Sequence, residues 1–273
     1  MPRAKNGVVE IEYECFGDPA KPALLVVNGY GVQMIWTPAA FCELLAARGY
    51  RVIRLDNRDV GLSSWPTEPY TIADMARDGI AVLDAEAIGK AHIVGISMGG
   101  MIVQRMAINH PDRVLSMTSI MAVPGPDKLV STPEASAMLT ALPPDPGTHF
   151  EDFVAHMIRR AVLFESPAYR SDEAYHRDRV VSSWKRAYNP AGLQRQMAAM
   201  GADGDRTEAL GGLTMPVMVV HGADDPLVHP SGGEATARAI PGAKLRIIAG
   251  MGHDLPPGVW DEVADAIQAV AGA

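Results

Sequence analysis

Short apolar or β-branched runs alternate with longer amphipathic stretches along most of this chain, and that alternation breaks once, after Val123. Residues 8–15 alternate apolar with polar, the pattern of a half-exposed edge strand. Leu24-Leu25-Val26-Val27 is continuously apolar, as a strand covered on both faces would be. A helical stretch over 38–48 closes at Gly49 and leads to a strand over Arg51–Leu55. Residues 72–88 place Ile72, Met75, Ala76, Gly79, Ile80, Leu83 and Ala87 near a 3.6-residue period, which predicts a helix ended by Gly89. A strand over Ala91–Ile96, a helix over Met98–Asn109 stopped by Pro111, and a strand over Val114–Ile120 follow. Such alternation predicts right-handed crossovers and an α/β fold with a mostly parallel sheet flanked by helices.

At Pro124-Gly125-Pro126 the rhythm stops, and no strand pattern returns before about Gly204. Phe150, Phe153, Val154, Met157, Ile158, Ala161 and Phe164 recur at three- and four-residue steps, and two more helices are expected at 171–188 and 190–200. Strands resume at 216–221 and Lys244–Ile248, with a last helix over 259–270. Residues 1–124 and 205–273 therefore read as one α/β core, and 125–204 as a helical cap inserted into it.

With 273 residues, 48% of them apolar, the chain can bury a core of this kind. Its net charge of −8 and lack of a basic run argue against nucleic acid or an anionic membrane surface as partner. Cys15 and Cys42 are far apart, in no metal-ligand spacing, and read as two reduced, partly buried thiols. The first residues lack the apolar stretch of a signal peptide, and no apolar run reaches the roughly 18–20 residues of a membrane span. A cytoplasmic protein is the expectation, with no metal or organic cofactor required.

Between the fourth strand and its helix stands Gly95-Ile96-Ser97-Met98-Gly99, a G-x-S-x-G pattern. A serine on a sharp strand-to-helix turn projects its hydroxyl above the sheet, and its neighbours two residues away must be small to avoid collision. A serine hydroxyl needs a base, and the base needs an orienting group. Three histidines follow the insertion: His221 at a strand end, His229 in a loop, and His253 in Gly250-Met251-Gly252-His253-Asp254, where glycines let the loop bend toward the sheet top. His253 is the candidate base. Asp224 and Asp225, in the loop after 216–221, are candidate acids, the other serving to cap that loop. The backbone N–H groups of Met98 and Tyr30 are the candidate oxyanion donors.

These motifs resemble the α/β-hydrolase superfamily over nearly the whole chain. Arg54-Leu55-Asp56-Asn57-Arg58-Asp59-Val60-Gly61-Leu62-Ser63 is similar to its D-x-R-G-x-G-x-S stretch, and His110-Pro111-Asp112-Arg113-Val114 and Gly250-Met251-Gly252-His253 are typical of it. Asp56-Asn57-Arg58-Asp59 with Ser97-Met98-Gly99 is similar to bacterial esterases related to aclacinomycin methylesterase. The resemblance implies the chain order serine, acid, histidine, and an acid three residues after the loop glycine, Gly222, which selects Asp225. Asp56 and Arg58 read as scaffold. One departure is Asn28-Gly29 where relatives carry His-Gly; the donor there is backbone, so Asn28 is free to tie the loop down through its side chain.

The resemblance implies acyl transfer from a small-molecule ester to water through Ser97, His253 and Asp225, on a small or medium, largely apolar substrate. Trp36, Leu62, Phe150, Phe153 and Trp184 are expected to line its pocket. Lactonases, carbon–carbon bond hydrolases and cofactor-free perhydrolases share the constellation. A ligand receptor on a hydrolase scaffold is the reading from a different class. A serine at the elbow argues against dehalogenases and epoxide hydrolases of this fold, which carry aspartate there.

Overall fold

Strand residues whose side chains alternate between two apolar layers decide the architecture. The computed structural model describes residues 1–272. It contains β1 (Arg3–Asn6), β2 (Val9–Phe16), β3 (Ala23–Val27), α1 (Ala39–Ala47), β4 (Arg51–Leu55), α2 (Ile72–Ala85), β5 (Ala91–Ile96), α3 (Met98–Asn109) and β6 (Val114–Ile120). After β6 come α4 (Pro133–Thr140), α5 (Phe150–Phe164), α6 (Glu173–Arg186), α7 (Pro190–Ala202) and α8 (Thr207–Leu210) with no strand among them. The chain closes with β7 (Val217–Gly222), α9 (Pro230–Ala239), β8 (Lys244–Ile248) and α10 (Trp260–Ala271).

The strands form one sheet in the order β1-β2-β4-β3-β5-β6-β7-β8. From β4 onward in that order each strand pairs in parallel with the next, whereas β2 is antiparallel to both β1 and β4. On one face Leu25, Val27, Ile53, Leu55 and Ile93 pack with Met75 and Leu83 of α2 and Ile102 and Met106 of α3. On the other, Leu24, Val26, Val52, Val94 and Val220 pack with Phe41 and Leu45 of α1 and Val263 and Ile267 of α10. Each fully buried Val, Leu or Ile contributes on the order of 1.5–3 kcal/mol relative to exposure, so the two layers together fix the strand register.

Three expectations need correction. β2 is not an edge strand: the short polar β1 pairs along it from Arg3↔Glu12 to Asn6↔Val9, and Val9, Ile11 and Tyr13 are buried. α2 stops at Ala85, short of Ile88, because Ala87 takes a left-handed φ of 54° and the Ile88 N–H donates back to the Leu83 carbonyl at 2.8 Å. Cys42 is buried, but Cys15 is exposed; both thiols are free. Among the described residues no helix is long and apolar enough to cross a membrane.

The helices between β6 and β7 hold two small apolar groups. Phe153, Val154 and Val180 gather Phe150, Met157, Trp184 and Tyr188 around them. Val123, Ala135 and Phe164 join Leu227 and Val228 of the sheet side.

Candidate active site

Ser97 caps the start of α3 with φ 57° and ψ −121°, a region that side chains other than glycine rarely adopt. The turn survives only because its neighbours have no side chain. A Cβ on Gly95 would stand 2.1 Å from the Gly99 carbonyl oxygen, and one on Gly99 would stand 2.0 Å from that of Val27. The Ser97 N–H is anchored on the Ile120 carbonyl of β6 at 2.9 Å, which fixes the strained residue to the sheet.

His253 reaches Ser97 from the loop after β8. Its Nε2 lies 2.9 Å from Ser97 Oγ, and its Nδ1 lies 2.6 Å from Asp225 Oδ2. An ionised carboxylate only accepts, so Nδ1–H is the donor there and Nε2 of the neutral ring is left to accept the serine proton. The other Asp225 oxygen accepts the backbone N–H groups of Leu227 and Val228 at 2.9 and 2.8 Å. Burial pushes the Asp225 carboxyl up. Attraction to His253 and hydrogen bonds from His221, His253 and Val228 outweigh that and hold it well below the usual carboxylate range. The loops after β7 and β8 touch, since a Cβ on Gly222 would meet the Met251 carbonyl oxygen at 2.3 Å.

The remaining histidines and acids of these loops are not hydrogen-bonded to Ser97, though His221 Nε2 stands 3.5 Å behind Asp225 Oδ2. His221 is fully buried with Nε2 2.7 Å from the Val228 carbonyl, and His229 caps α9 through Ser231. Asp224 accepts the Gly250 N–H at 3.0 Å, which pins the His253 loop. Asp56 is fully buried and accepts the N–H groups of Met34 and Leu62 at 2.7 and 3.0 Å, while Arg58 pairs with Asp78 at 2.7 Å.

The loop after β3 carries Tyr30 beside the serine: a Cβ on Gly29 would lie 3.1 Å from Ser97 Cβ. Asn28 braces this loop by accepting the Thr37 hydroxyl at 2.7 Å, and its carbonyl accepts the Asn57 side-chain amide at 2.8 Å. Among the described residues the backbone N–H groups of Tyr30 and Met98 have no protein acceptor, which leaves both donors free beside Ser97.

Ser97 and His253 open into a cavity of about 720 Å³ between the sheet top and the inserted helices. Trp36, Phe153 and Trp184 line it, as do Tyr30, Phe164 and Tyr188. Leu62 and Phe150 do not. Leu62 is 38% exposed, turned outward from a backbone tied to Asp56. Phe150 packs behind the wall, its ring 4.6 Å from that of Trp184 and 6.4 Å from that of Phe153.

Several residues that sequence reasoning passed over hold the site together. Gln196 of α7, fully buried, accepts the Gly31 N–H at 2.8 Å and so fixes the loop after β3. The Phe164 carbonyl accepts the His253 N–H at 2.7 Å. Ser166, just past α5, donates to Asp254 at 2.5 Å and accepts the Gly252 N–H at 2.9 Å. Arg160 and Arg179 put two cations in the cavity wall. Pairs of such long sequence separation leave no periodic trace; only the position of Arg160 on the apolar stripe of its helix was readable. Among the described residues no group of three or more His, Cys, Asp or Glu is arranged to hold a metal ion.

Comparison with known proteins agrees with this architecture. The profile of the alpha/beta hydrolase fold matches residues 22–256. Rhodomycin D methylesterase DauP of Streptomyces sp. (strain C5) is 32% identical, covering 93% of this chain and 92% of that protein. Rhodomycin D methylesterase DnrP of Streptomyces peucetius is 31% identical, covering 96% and 95%. Among solved structures, a hydrolase from Pseudomonas aeruginosa PA01 superposes with a TM-score of 0.75 at 27% identity, covering 97% of this chain and 95% of that one.

Proposed function

The chain belongs to the alpha/beta hydrolase family and is a hydrolase, and from that premise we propose that it cleaves carboxylic esters through Ser97, His253 and Asp225. The observation that carries this reading is the unbroken hydrogen-bond chain from Asp225 through His253 to Ser97 Oγ in the wall of the cavity.

In this reading Ser97 Oγ attacks the ester carbonyl carbon as His253 Nε2 takes its proton. Asp225 stays ionised, holds the tautomer, and stabilises the imidazolium that forms. The oxyanion is received by the N–H groups of Tyr30 and Met98, donors already in place and therefore costing no reorganisation. The C–O bond to the alcohol breaks as His253 returns the proton to the leaving oxygen, leaving an acyl-serine. Water, deprotonated by His253, then attacks the acyl carbon, and Ser97 leaves with the proton. The acid is released.

We read residues 125–204 as a cap whose aromatic and aliphatic side chains select a small or medium, largely apolar ester. The relatives named methylesterases favour a small alcohol as the leaving group. Release of p-nitrophenol from acetyl, butyryl and octanoyl esters tests the reading, with wild type and Ser97→Ala side by side. Turnover in wild type and a loss of roughly 10⁴- to 10⁶-fold in kcat on Ser97→Ala are expected. Equal rates for the two proteins, or one burst that then stops, would sink it.

A further inference from the structure

Arginines in this protein are paired almost without exception. Among the described residues, most of those not exposed to solvent pair with a carboxylate, among them Arg54 with Glu14, Arg58 with Asp78, Arg105 and Arg206 with Asp203, Arg186 with Asp56 and Arg195 with Asp59. Arg179, in the cavity wall, donates to the Trp36 carbonyl at 3.0 Å and lies 4.2 Å above the Trp36 ring. Arg160 is half-buried in the same wall and has no hydrogen bond and no ion pair among the described residues. The faces of Tyr30 and Phe164 lie beside it, with ring centroids 5.9 and 6.0 Å away, at the outer limit of a cation–π contact, and the charge is felt by His156 one turn back on the same helix.

Its place on α5 sharpens the anomaly. Phe153, Met157, Arg160, Ala161 and Phe164 form the stripe of this helix that faces the cavity, a stripe otherwise apolar. The adjacent Arg159 points to solvent. A charge on the inward stripe is costly unless something pairs with it. Burial holds the Arg160 guanidinium below its ordinary range, and only the Tyr30 phenol opposes that shift. The two carboxylates in the cavity wall are committed elsewhere: Asp59 to Arg195, Tyr70 and Asn189, and Asp254 to Ser166.

We propose that Arg160 is a specificity-determining residue that receives a carboxylate of the substrate, so that the preferred substrates are esters carrying a second, ionised acid group. This rests on the ester-hydrolase reading given above. The reach fits. Phe164 touches both partners, its ring 6.0 Å from the Arg160 guanidinium carbon and 6.3 Å from the His253 ring, so the sum of these separations bounds the span from guanidinium to imidazole. A half-ester of a short aliphatic dicarboxylic acid is of a length that this bound admits, with its ester carbonyl at Ser97 and its carboxylate at Arg160. A guanidinium receives a carboxylate through two parallel N–H donors, a fit that lysine does not reproduce.

The test compares hydrolysis of monomethyl adipate with that of methyl hexanoate by wild type, Arg160→Met and Arg160→Lys. The ratio of kcat/KM for the charged over the neutral ester is expected to fall roughly 10- to 100-fold in Arg160→Met, mainly through KM, with Arg160→Lys between. A ratio unchanged by Arg160→Met would overturn the proposal while leaving the esterase reading standing. Titration of monomethyl adipate into the Ser97→Ala protein, with and without Arg160→Met, reads binding without turnover. Arg160-dependent binding supports the proposal even should no ester be hydrolysed, and binding indifferent to Arg160 overturns it. The melting temperature separates a structural role: Arg160→Met is expected to melt at or above wild type, and a variant that melts well below it would mark Arg160 as scaffold.

Discussion

The sheet core and the inserted helices are held by different physics. Around the sheet, two continuous apolar layers bury strand residues on both faces, with Leu24, Leu25, Val26, Ile53 and Ile93 fully inside. The insertion has one small apolar group of its own, around Phe153, Val154 and Val180, shares a second with Val123, Leu227 and Val228 of the core, and is fastened besides by polar ties. Arg195 and Asn189 grip Asp59, Arg186 grips Asp56, Gln196 holds the Gly31 N–H, and Trp36 donates its indole N–H to Ser183 at 2.7 Å. Apolar burial is non-directional and tolerates substitution of similar volume. Polar ties are directional and place loops to within tenths of an ångström. The core therefore holds Ser97 at the end of β5, while α5 to α7 wall the cavity and tie down the loops that carry Tyr30 and His253.

If that division holds, substitutions in the two regions should fail in different ways. The largest effect is expected from Asp225→Asn, which keeps the shape of the site but offers His253 a side chain that can donate as well as accept. The imidazole is then free to adopt the wrong tautomer, and kcat should fall by about 10⁴-fold for every ester alike, with KM little changed. Steady-state kinetics on acetyl, butyryl and octanoyl esters check this; a loss confined to one chain length would mean that the core also selects substrate. A smaller effect, and one of selectivity, is expected from Trp184→Ala. Enlarging the cavity there should raise the kcat/KM ratio of octanoyl over acetyl ester by roughly 10-fold, the scale on which an apolar pocket discriminates chain length. A uniform fall in kcat with the ratio unchanged would assign Trp184 to positioning the loops and break the comparison from the other side.

What the sequence made legible follows the same division. Strands β3 to β6 and helix α3 were readable because burial on both faces of a sheet, or one face of a helix, imposes periods of two and 3.6. Ser97 and His253 stood out because each sits in a glycine-bearing turn at a strand end, whereas the loop left Asp224 and Asp225 open and the family resemblance selected Asp225; the structure brings Ser97, His253 and Asp225 within hydrogen-bonding distance. β1 was missed because Arg3-Ala4-Lys5-Asn6 is short and polar, and its pairing with β2 supplies what its composition does not. In the cavity wall the reading was mixed. Trp36, Phe153 and Trp184 line it, but Phe150, on the same apolar stripe, packs behind, since periodicity marks a buried face without saying what fills the space beside it. The ties of Gln196, Ser166 and Asp254 to the loops that carry Tyr30 and His253 join residues far apart in sequence, and no local pattern announces them.

The central claim is that Ser97, strained at the end of β5 and hydrogen-bonded to His253, is the nucleophile that becomes acylated. Covalent labelling with a fluorophosphonate, followed by peptide mapping by mass spectrometry, tests it directly. The expected result is one phosphonylated residue, Ser97, with no label on Ser97→Ala and markedly slower labelling on Asp225→Asn. Label on another serine, or ester turnover by a protein whose Ser97 remains unmodified, would contradict the account.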